Sequence, residues 1–339
     1  MKILFVYSTL NSVSTMKCCF ELSKALNQYS ITKVISYKEL NKEIINQFDI
    51  IIFHRIGEGN IISESDKKSI ISIIKENKSK TFIYMIDDLI IEDRNGVIKD
   101  LARECDAVMC STERLCNNFM TFNKNVYRFK TFIDCDFYNS IKNDKNEVFT
   151  IAWISSGGLG INIINQILER KRYMGIDFNF IAIGGQSYRL IKSNNIRCYG
   201  VISEEDMIKL VKESHVLLNP ITVSSREENI IKLIYKSDVE QFLNSKSEIK
   251  YLISGMCNSC LITSKTESYK TIINDGINGF KVSNDILDWV SIITKLYYDR
   301  DIISKVTNNA YNNIKDVYDI NIISKNIYDN LKKIYNKSI

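Results

Sequence analysis

Short apolar runs alternate with stretches of helical periodicity along the whole chain. Almost wholly apolar runs of strand length are typical of buried strands in parallel sheets. The clearest runs are 2–7 (KILFVY), 48–55 (FDIIIFHR), 81–86 (TFIYMI), 149–154 (FTIAWI), 178–183 (FNFIAI) and 216–219 (VLLN). The segments that follow them carry apolar residues at helical spacing. This alternation predicts an α/β protein built from doubly wound parallel sheets.

The chain is long enough for two such domains. It has 339 residues, and its most polar connecting stretch is 139–148 (NSIKNDKNEV). A polar, charged stretch between periodic segments is typical of a linker. We therefore predict an N-terminal Rossmann-like domain over 1–140 and a second over 147–318. An apolar stripe at Ile322, Ile323, Ile327, Leu331 and Ile334 predicts a final helix over about 319–339.

Composition narrows the class of protein. Apolar residues make up 45% of the chain and charged residues 25%, with a net charge of +5. A mild excess of positive charge spread over the chain is not the basic patch of a nucleic-acid-binding protein. It is compatible with an anionic small-molecule ligand, or with peripheral contact at the inner face of an anionic membrane. No apolar run reaches membrane-spanning length.

Cysteine and histidine usage indicates free thiols and no zinc site. The nine cysteines are an odd number, the two histidines lack zinc-ligand spacing, and the start MKILFVYSTL lacks a signal-peptide cleavage site. We therefore expect a cytoplasmic protein with reduced cysteines. Cys257 and Cys260 have the spacing of a redox motif, but they straddle a predicted helix end and strand. We interpret them as two buried thiols, and His215 as a structural histidine.

Candidate ligand-binding residues of the second domain follow its strands. Small residues at a strand-to-helix turn allow backbone N–H groups to approach a diphosphate. Such residues are Ser155, Ser156, Gly157 and Gly158, and Gly184 ends the next strand. Lys246 and Lys250 flank the start of a predicted helix for which Ser247 is the expected N-cap. Helix N-termini attract phosphate, although an ordinary pair of solvated lysines fits the same pattern.

Polar residues also end two strands of the first domain. His54 and Arg55 follow one strand, and Asp87 and Asp88 follow the next. Ligands of open α/β sheets bind beyond the carboxyl ends of strands. Arg55 suits a phosphate or carboxylate, and the aspartates suit hydrogen bonds to sugar hydroxyls or the role of a general base. The alternatives are a structural histidine at a strand end and aspartates that cap helices or anchor loops.

A longer match extends from Phe242 to Phe280. It resembles the nucleotide-sugar-binding segment of GT-B glycosyltransferases of the large family-four (group 1) type. The matching positions are Phe242, Lys246, Ser247, Ile249, Lys250, Tyr251, Ser264, Tyr269, Ile273, Asp275, Gly276, Asn278 and Gly279. The resemblance implies a GT-B fold, with two Rossmann-like domains facing a cleft and the last helix packing back on the first domain.

The resemblance also implies a function and roles for the candidate residues. It implies transfer of a sugar from a nucleotide-sugar donor to a glycan, lipid-linked or protein acceptor, with retention of configuration and without an essential metal or other cofactor. Homo- or hetero-oligomers are compatible with it. The implied donor-binding residues are Ser155, Ser156, Gly157, Gly158, Gly184, Lys246, Ser247, Lys250 and Ser264. Arg55 would lie on the acceptor side, with His54, Asp87 and Asp88 as catalytic residues.

One departure from the family pattern supports a second hypothesis. Retaining relatives of this type carry two glutamates in an E-x7-E pattern, and this chain has Ser245 and Ile253 at those positions. Glu240 and Glu248 have the spacing but lie five residues too early. An aliphatic side chain cannot accept a hydrogen bond from a ribose hydroxyl. The alternative is therefore a non-catalytic GT-B protein that acts as partner or scaffold of a glycosyltransferase.

Overall fold

The computed structural model describes residues 1–10, 12–57, 62–89, 96–191, 193–223, 228–229 and 238–338. The chain divides into two compact units. Unit 1 comprises Met1–Thr131, Ile230–Ser247 and Ile320–Ile339; unit 2 comprises Phe132–Asn229 and Glu248–Asp319. Unit 2 therefore begins ahead of the predicted linker, because Ile133 N donates to Tyr318 O (3.1 Å) within that unit. The domain boundaries 1–140 and 147–318 stay a prediction.

Twelve strands are described in these residues. They are β1 (Lys2–Tyr7), β2 (Ile31–Ser36), β3 (Ile50–His54), β4 (Thr81–Ile86), β5 (Ala107–Cys110), β6 (Val126–Arg128), β7 (Thr150–Ile154), β8 (Asn179–Ile183), β9 (Ile196–Tyr199), β10 (Val216–Asn219), β11 (Cys260–Ser264) and β12 (Phe280–Val282). The strands predicted from the apolar runs are confirmed, because strands buried on both faces carry apolar residues at consecutive positions.

The described helices follow in chain order. They are α1 (Val13–Thr15), α2 (Leu22–Leu26), α3 (Lys42–Asn46), α4 (Glu64–Glu76), α5 (Val97–Glu104), α6 (Glu113–Phe119), α7 (Cys135–Ser140), α8 (Ile161–Arg170), α9 (Glu204–Glu213), α10 (Val239–Asn244), α11 (Ile249–Met256), α12 (Glu267–Ile272), α13 (Ile286–Tyr298), α14 (Arg300–Val317) and α15 (Ile320–Ser338). A π-helical stretch, Met16–Glu21, joins α1 to α2, and short 3₁₀ turns occupy Tyr37–Glu39, Lys171–Tyr173 and Ser187–Arg189.

Each unit contains one six-stranded parallel sheet. The strand order is β2-β1-β3-β4-β5-β6 in unit 1 and β12-β11-β10-β7-β8-β9 in unit 2. The order reverses between β1 and β3 in the first sheet and between β7 and β10 in the second. Ligands of doubly wound sheets bind at such reversals, beyond the carboxyl ends of the strands. The predicted doubly wound α/β class is confirmed.

Side chains cap the N-termini of several helices. Thr112 caps α6, with its side chain accepting from Leu115 N (3.2 Å). Ser203 caps α9 by accepting from Asp206 N (3.0 Å). The expected cap at Ser247 is wrong, since α11 begins one residue later, with Glu248 at the N-cap position and no side-chain cap.

The apolar stripes predicted from the sequence are buried within the units. In unit 1, α15 contacts α2, and the ring of Tyr328 stacks on Tyr29 with centroids 5.2 Å apart. Ile323, Ile327 and Leu331 of this helix are buried, whereas Ile322 is exposed. In unit 2, the indole rings of Trp153 in β7 and Trp289 in α13 lie in the core.

The cysteines are free, and all but Cys198 are buried. Cys257 and Cys260 are free and buried, as predicted, and burial raises the pKa of both thiols to about 12. No helix among the described residues combines the length and the apolar character needed to cross a bilayer.

Candidate functional site

The strand reversal of unit 1 brings together polar residues that lie far apart in the sequence. Strands β1, β3 and β4 pair in register, with Tyr7 opposite His54 and His54 opposite Met85. Their carboxyl ends therefore meet at one edge of the sheet. We call the residues at this edge the unit 1 cluster, defined as Ser14, His54, Arg55, Asp87, Asp88 and Lys246.

Asp87 is the centre of the cluster. Its Oδ1 accepts a hydrogen bond from Arg55 Nε, and its Oδ2 accepts one from Ser14 Oγ (2.6 Å). The Nε2 atom of His54 lies 3.4 Å from Asp87 Oδ1. Burial alone would raise the pKa of this carboxyl group, but Arg55, His54 and Ser14 together hold its pKa well below the ordinary value. Asp87 is therefore ionised at neutral pH.

The contacts of His54 assign its ring nitrogens. Nε2 lies 3.1 Å from Ser14 Oγ. Because Ser14 donates its own hydrogen to Asp87, its oxygen accepts from His54, which places the ring hydrogen on Nε2. The side chain is fully buried, and Nδ1 has no hydrogen-bond partner among the described residues. The imidazole thus presents a buried Nδ1 atom that no described residue contacts by a hydrogen bond.

The second aspartate pairs with a lysine. Lys246 Nζ lies 2.9 Å from Asp88 Oδ1 and 3.1 Å from Oδ2, and 3.8 Å from the centroid of the Phe242 ring. Arg55 Nη2 lies 3.8 Å from Asp88 Oδ2. Burial opposes ionisation of Asp88, but Lys246 and Arg55 outweigh it and lower its pKa. Lys246, predicted on the donor side, is thus held by an aspartate of its own unit.

Arg55 adopts an unusual backbone conformation. Its φ is 49°, in the left-handed region that non-glycine residues rarely occupy. This conformation costs about 1–2 kcal/mol for a residue with a Cβ. It is held by Arg55 N donating to Met85 O (3.1 Å) and by Ser8 Oγ donating to Arg55 O (3.2 Å). The strain directs the guanidinium towards both aspartates.

A set of metal-ligating atoms also occurs here. The ligand atoms of Cys18, His54 and Asp87 all lie within 4.8 Å of one another. Two observations oppose a metal at this place. The guanidinium of Arg55 already occupies Asp87 and would repel a cation, and burial holds the pKa of the Cys18 thiol well above its ordinary value. The chemistry of the set is that of an ion-pair network.

The corresponding edge of unit 2 is built on close backbone approaches. A Cβ at Gly160, whose φ is +80°, would lie 2.2 Å from Pro220 O. A Cβ at Gly184, whose φ is +125°, would lie 2.1 Å from Ser155 O. Only glycine fits at these two positions. They pack the loop after β7 against its neighbours at the strand reversal, and so bring Gly184 next to the predicted donor loop.

The donor loop itself is open to solvent at its centre. Ser155 and Gly158 are buried, while Ser156 and Gly157 are exposed. A Cβ at Gly157 would meet nothing within 4 Å. The loop leads into α8, whose N-cap is Gly160. The arrangement is that of a backbone cradle ahead of a helix N-terminus, which suits a diphosphate.

The remaining donor-side candidates take different positions. Ser264, at the end of β11, is buried; its hydroxyl accepts from Ile221 N (2.8 Å) and donates to Asn284 Oδ1 (2.7 Å). Ser264 therefore anchors two loops and has no hydrogen left for a ligand. Lys250 is the second residue of α11 and is half-buried. Ser247 is half-buried at the end of the unit 1 segment.

The family's glutamate positions are apolar or structural in this protein. Ile253 is buried in α11. Ser245, a residue of unit 1, is buried and donates to Gln241 O (2.7 Å). Glu248, which lies five residues too early for the family's glutamate pattern, is 2% exposed at the start of α11. Burial first, and the charge of Glu248 second, raise the pKa of Tyr269 above its ordinary range.

Two residues of these sites were missed by sequence reasoning. Ser14 has no signal in the sequence, because its contacts to Asp87 and His54 span 73 and 40 residues. A buried carboxylate at Glu248 was not expected either. The only sequence signal for it is its place beside the Lys246–Lys250 motif, which is a weak indication of burial.

Solved structures resemble this protein over nearly its whole length. Anabaena HepE in complex with UDP-glucose has a TM-score of 0.68 at 13% identity, covering 98% of this chain and 100% of the other. Sucrose-phosphate synthase from Thermosynechococcus elongatus has 0.69 at 8%, covering 99% of each chain. A glycosyltransferase from Rickettsia africae has 0.66 at 14%, covering 98% of each. No protein-family model and no curated protein sequence matches.

Identities this low establish the fold alone. The structural similarity extends over nearly the whole chain, and so includes both parallel sheets. The chain therefore has the GT-B fold of the glycosyltransferases that the resemblance indicated.

Proposed function

We propose that the protein is a glycosyltransferase that moves a sugar from a nucleoside-diphosphate sugar to a glycan, lipid-linked or protein acceptor. The observation that carries the proposal is the unit 1 cluster. Two ionised aspartates, a strained arginine and a buried histidine meet at the strand reversal of its sheet. Strained residues and preorganised charges concentrate at functional sites, and packing alone gives no reason to retain them.

The donor is proposed to bind at the carboxyl edge of the unit 2 sheet. The Ser155–Gly158 loop and the start of α8 supply backbone N–H groups for the diphosphate, with Lys250 as the charged side chain. Fixed donors and cations of this kind stabilise charge on the leaving diphosphate without a metal. The complex of HepE with UDP-glucose makes uracil the first nucleobase to test. Retention of configuration rests on the family resemblance.

The unit 1 cluster is proposed to recognise the acceptor. A general base works best when its pKa lies near the working pH, and the pKa values of Asp87 and Asp88 are held low. The aspartates therefore act as hydrogen-bond acceptors for sugar hydroxyls and as anchors for Arg55 and Lys246, rather than as proton acceptors. His54 is fully buried, so it acts as a positioning residue that holds Ser14 and Asp87 in place.

A non-catalytic partner of a glycosyltransferase is the second candidate. One observation favours it: Ile253 and Ser245 stand where retaining relatives have glutamates, and both are buried in structural contacts. Such a protein would hold the fold without turning over a donor. The two functions differ in what happens to a nucleotide sugar, which makes them separable by experiment.

Turnover and binding are best tested together. The assay measures UDP released from UDP-glucose, and UDP binding by calorimetry, for the wild type and for Gly157→Ala. The side chain of Gly157→Ala meets nothing within 4 Å of this structure, so only a bound ligand would be crowded by it. Gly200→Ala is the matched control, because its Cβ also meets nothing within 4 Å and the residue follows the outer strand β9.

The outcomes separate the hypotheses. Weaker UDP binding in Gly157→Ala, with Gly200→Ala unchanged, supports the donor site. Lys250→Ala should also weaken binding while the protein stays folded. UDP binding without release from UDP-glucose, in the presence of candidate acceptors, supports the non-catalytic partner. Equal UDP affinity in Gly157→Ala, Lys250→Ala and the wild type contradicts the donor site.

A further inference from the structure

A cavity of about 710 Å³ opens at the opposite edge of the unit 2 sheet. It is lined by the segment after α7, the ends of α9 and α11, and the start of α14. His215 and Asn258, which line it, precede β10 and β11. It therefore lies at the amino ends of the strands. The five residues of β7 separate this edge from the donor loop by about 16 Å.

Four cations line this cavity, which we call the basic cavity. They are Lys142, Lys145, Lys212 and Arg300, and Asp144 is the one carboxylate among the lining residues of the described chain. None of the four forms an ion pair with a described residue. Lys212 Nζ donates to Tyr138 O (2.8 Å) and Ile141 O (2.7 Å). Positive charge without carboxylate partners is uncommon in a concave site and attracts anions.

A structural role explains only part of this charge. Lys145 Nζ donates to Ser214 O and, at 3.2 Å, to Cys257 O. Lys145 and Lys212 thus bind carbonyl groups at the ends of α7, α9 and α11, where the helix dipole favours cations. Arg300 donates to Glu147 O (3.2 Å), which ends no helix. Lys142 makes no hydrogen bond or ion pair with the described residues, so helix capping does not account for it.

The cations also repel one another. Burial lowers the pKa of Lys145 to about 8, and Lys212 adds to the effect. Burial and Lys142 lower the pKa of Lys212. Burial, with Arg300 and Lys145, lowers the pKa of His215 to about 4, so this histidine adds no charge at neutral pH. An anion placed among these groups would relieve repulsion that the empty cavity retains.

Neutral donors surround the cations. The lining includes the side-chain amides of Asn258 and Asn308, which make no hydrogen bond with the described residues, whereas Asn139 donates to the Tyr311 hydroxyl (3.1 Å) and Asn143 donates to Lys209 O (2.8 Å). Amide and hydroxyl groups pair with the hydroxyls of a sugar or polyol. The volume falls within the range of small-molecule sites, roughly 300–1,000 Å³. The lining thus combines charges for a phosphoryl group with neutral groups for an attached polar body.

From this combination we propose that the basic cavity is a second binding site, separate from the donor edge, for a small phosphorylated molecule. Lys142, Lys145, Lys212 and Arg300 hold the phosphoryl group, and the amides of Asn258 and Asn308 hold the polar remainder. The proposal does not depend on the proposed glycosyl transfer, since the residues and the edge of the sheet are different.

Calorimetric titration with inorganic pyrophosphate tests the proposal, and any binding event that Gly157→Ala removes is assigned to the donor loop, which also suits a diphosphate. The test variant is Lys142→Gln/Arg300→Gln, and the control is Lys305→Gln/Lys315→Gln. The control removes the same charge from exposed positions of α14 outside the cavity lining. We expect saturable binding in the wild type and the control, and at least about tenfold weaker binding in the test variant, because charged hydrogen bonds are lost. Lys142→Gln alone, which removes no hydrogen bond or ion pair of the described residues, is the fallback if Arg300→Gln unfolds the protein.

Two further measurements separate this site from the donor edge. Gly157→Ala should leave pyrophosphate binding at the basic cavity unchanged, and the test variant should leave UDP binding unchanged. Binding at pH 8 should take up protons, since an anion raises the pKa of Lys145 from about 8. Absence of binding in the wild type, or equal affinity in test and control variants, overturns the proposal.

Discussion

Replacing Asp87 with asparagine tests whether the unit 1 cluster is a preorganised network. Asparagine keeps the size of the side chain and can still accept the hydrogen bond from Ser14, but it removes the charge that faces Arg55. The Arg55 side chain is 11% exposed and that of Asp87 19%. Asp87→Asn therefore leaves a largely buried guanidinium without its nearest carboxylate.

The size of the effect follows from this burial. Removing one partner of a buried pair costs about 3–5 kcal/mol. The lower end applies here, because Asp88 remains 3.8 Å from Arg55 and Asp87 is not fully buried. We expect a loss of about 3 kcal/mol, which lowers the urea midpoint of the unit 1 transition by roughly 1 M or more for slopes of about 1–3 kcal/mol/M.

The pH dependence gives the prediction its sign. The pKa of Asp87 is lower in the folded protein than in the unfolded chain, where an aspartate titrates at about 3.9. Its contribution is therefore complete above about pH 5, and is lost as the pH falls through the folded-state value. The difference between the wild type and Asp87→Asn should be constant from pH 8 to 5 and shrink below about pH 4.

Urea unfolding followed by circular dichroism at several pH values measures both quantities. Asp329→Asn is the matched control, because the pair of Lys325 and Asp329 lies on the exposed face of α15. Exposed pairs contribute little, so the control should unfold like the wild type. A loss of unfolding free energy below about 1 kcal/mol in Asp87→Asn at pH 7 would contradict the buried ion pair of Asp87 and Arg55. So would a difference between the variant and the wild type that grows as the pH falls.

Two other predictions follow from the packing. Gly160→Ala should destabilise the protein by roughly 2–4 kcal/mol, because the new Cβ meets Pro220 O in a left-handed conformation, whereas Gly157→Ala should leave the unfolding midpoint unchanged. In the folded protein a thiol reagent should label Cys198 rapidly and the eight buried cysteines slowly, and all nine should react after denaturation; fast labelling of Cys257 or Cys260 would contradict the assigned burial.

Much of the fold could be predicted from the sequence, because a strand buried on both faces consists of consecutive apolar residues. The runs at β3, β4 and β8 are apolar on both faces, as strands covered on both sides must be. The caps at Thr112 and Ser203 use side chains within three residues of their partners. Helix α11 begins one residue later than the predicted cap at Ser247 requires, because local sequence specifies helix ends poorly.

Only those parts of the site that follow from the order of the strands could be predicted from the sequence. His54 and Asp87 end consecutive strands of one sheet, so their proximity follows from the topology. The pairing of Lys246 with Asp88 joins residues 158 positions apart and depends on how a late segment returns to unit 1. The positive φ of Arg55 likewise has no sequence signal, because arginine is not a residue that favours it.

Nucleotide binding tests most simply whether unit 2 carries a donor site. We would measure the thermal stability of the purified protein with UDP, GDP, dTDP, CDP and CMP in turn. A ligand at a hundred times its dissociation constant stabilises the folded protein by about 2.7 kcal/mol. We expect a clear rise in melting temperature with one nucleoside diphosphate, UDP first. A folded sample that shows no shift with any of the five would contradict the donor site.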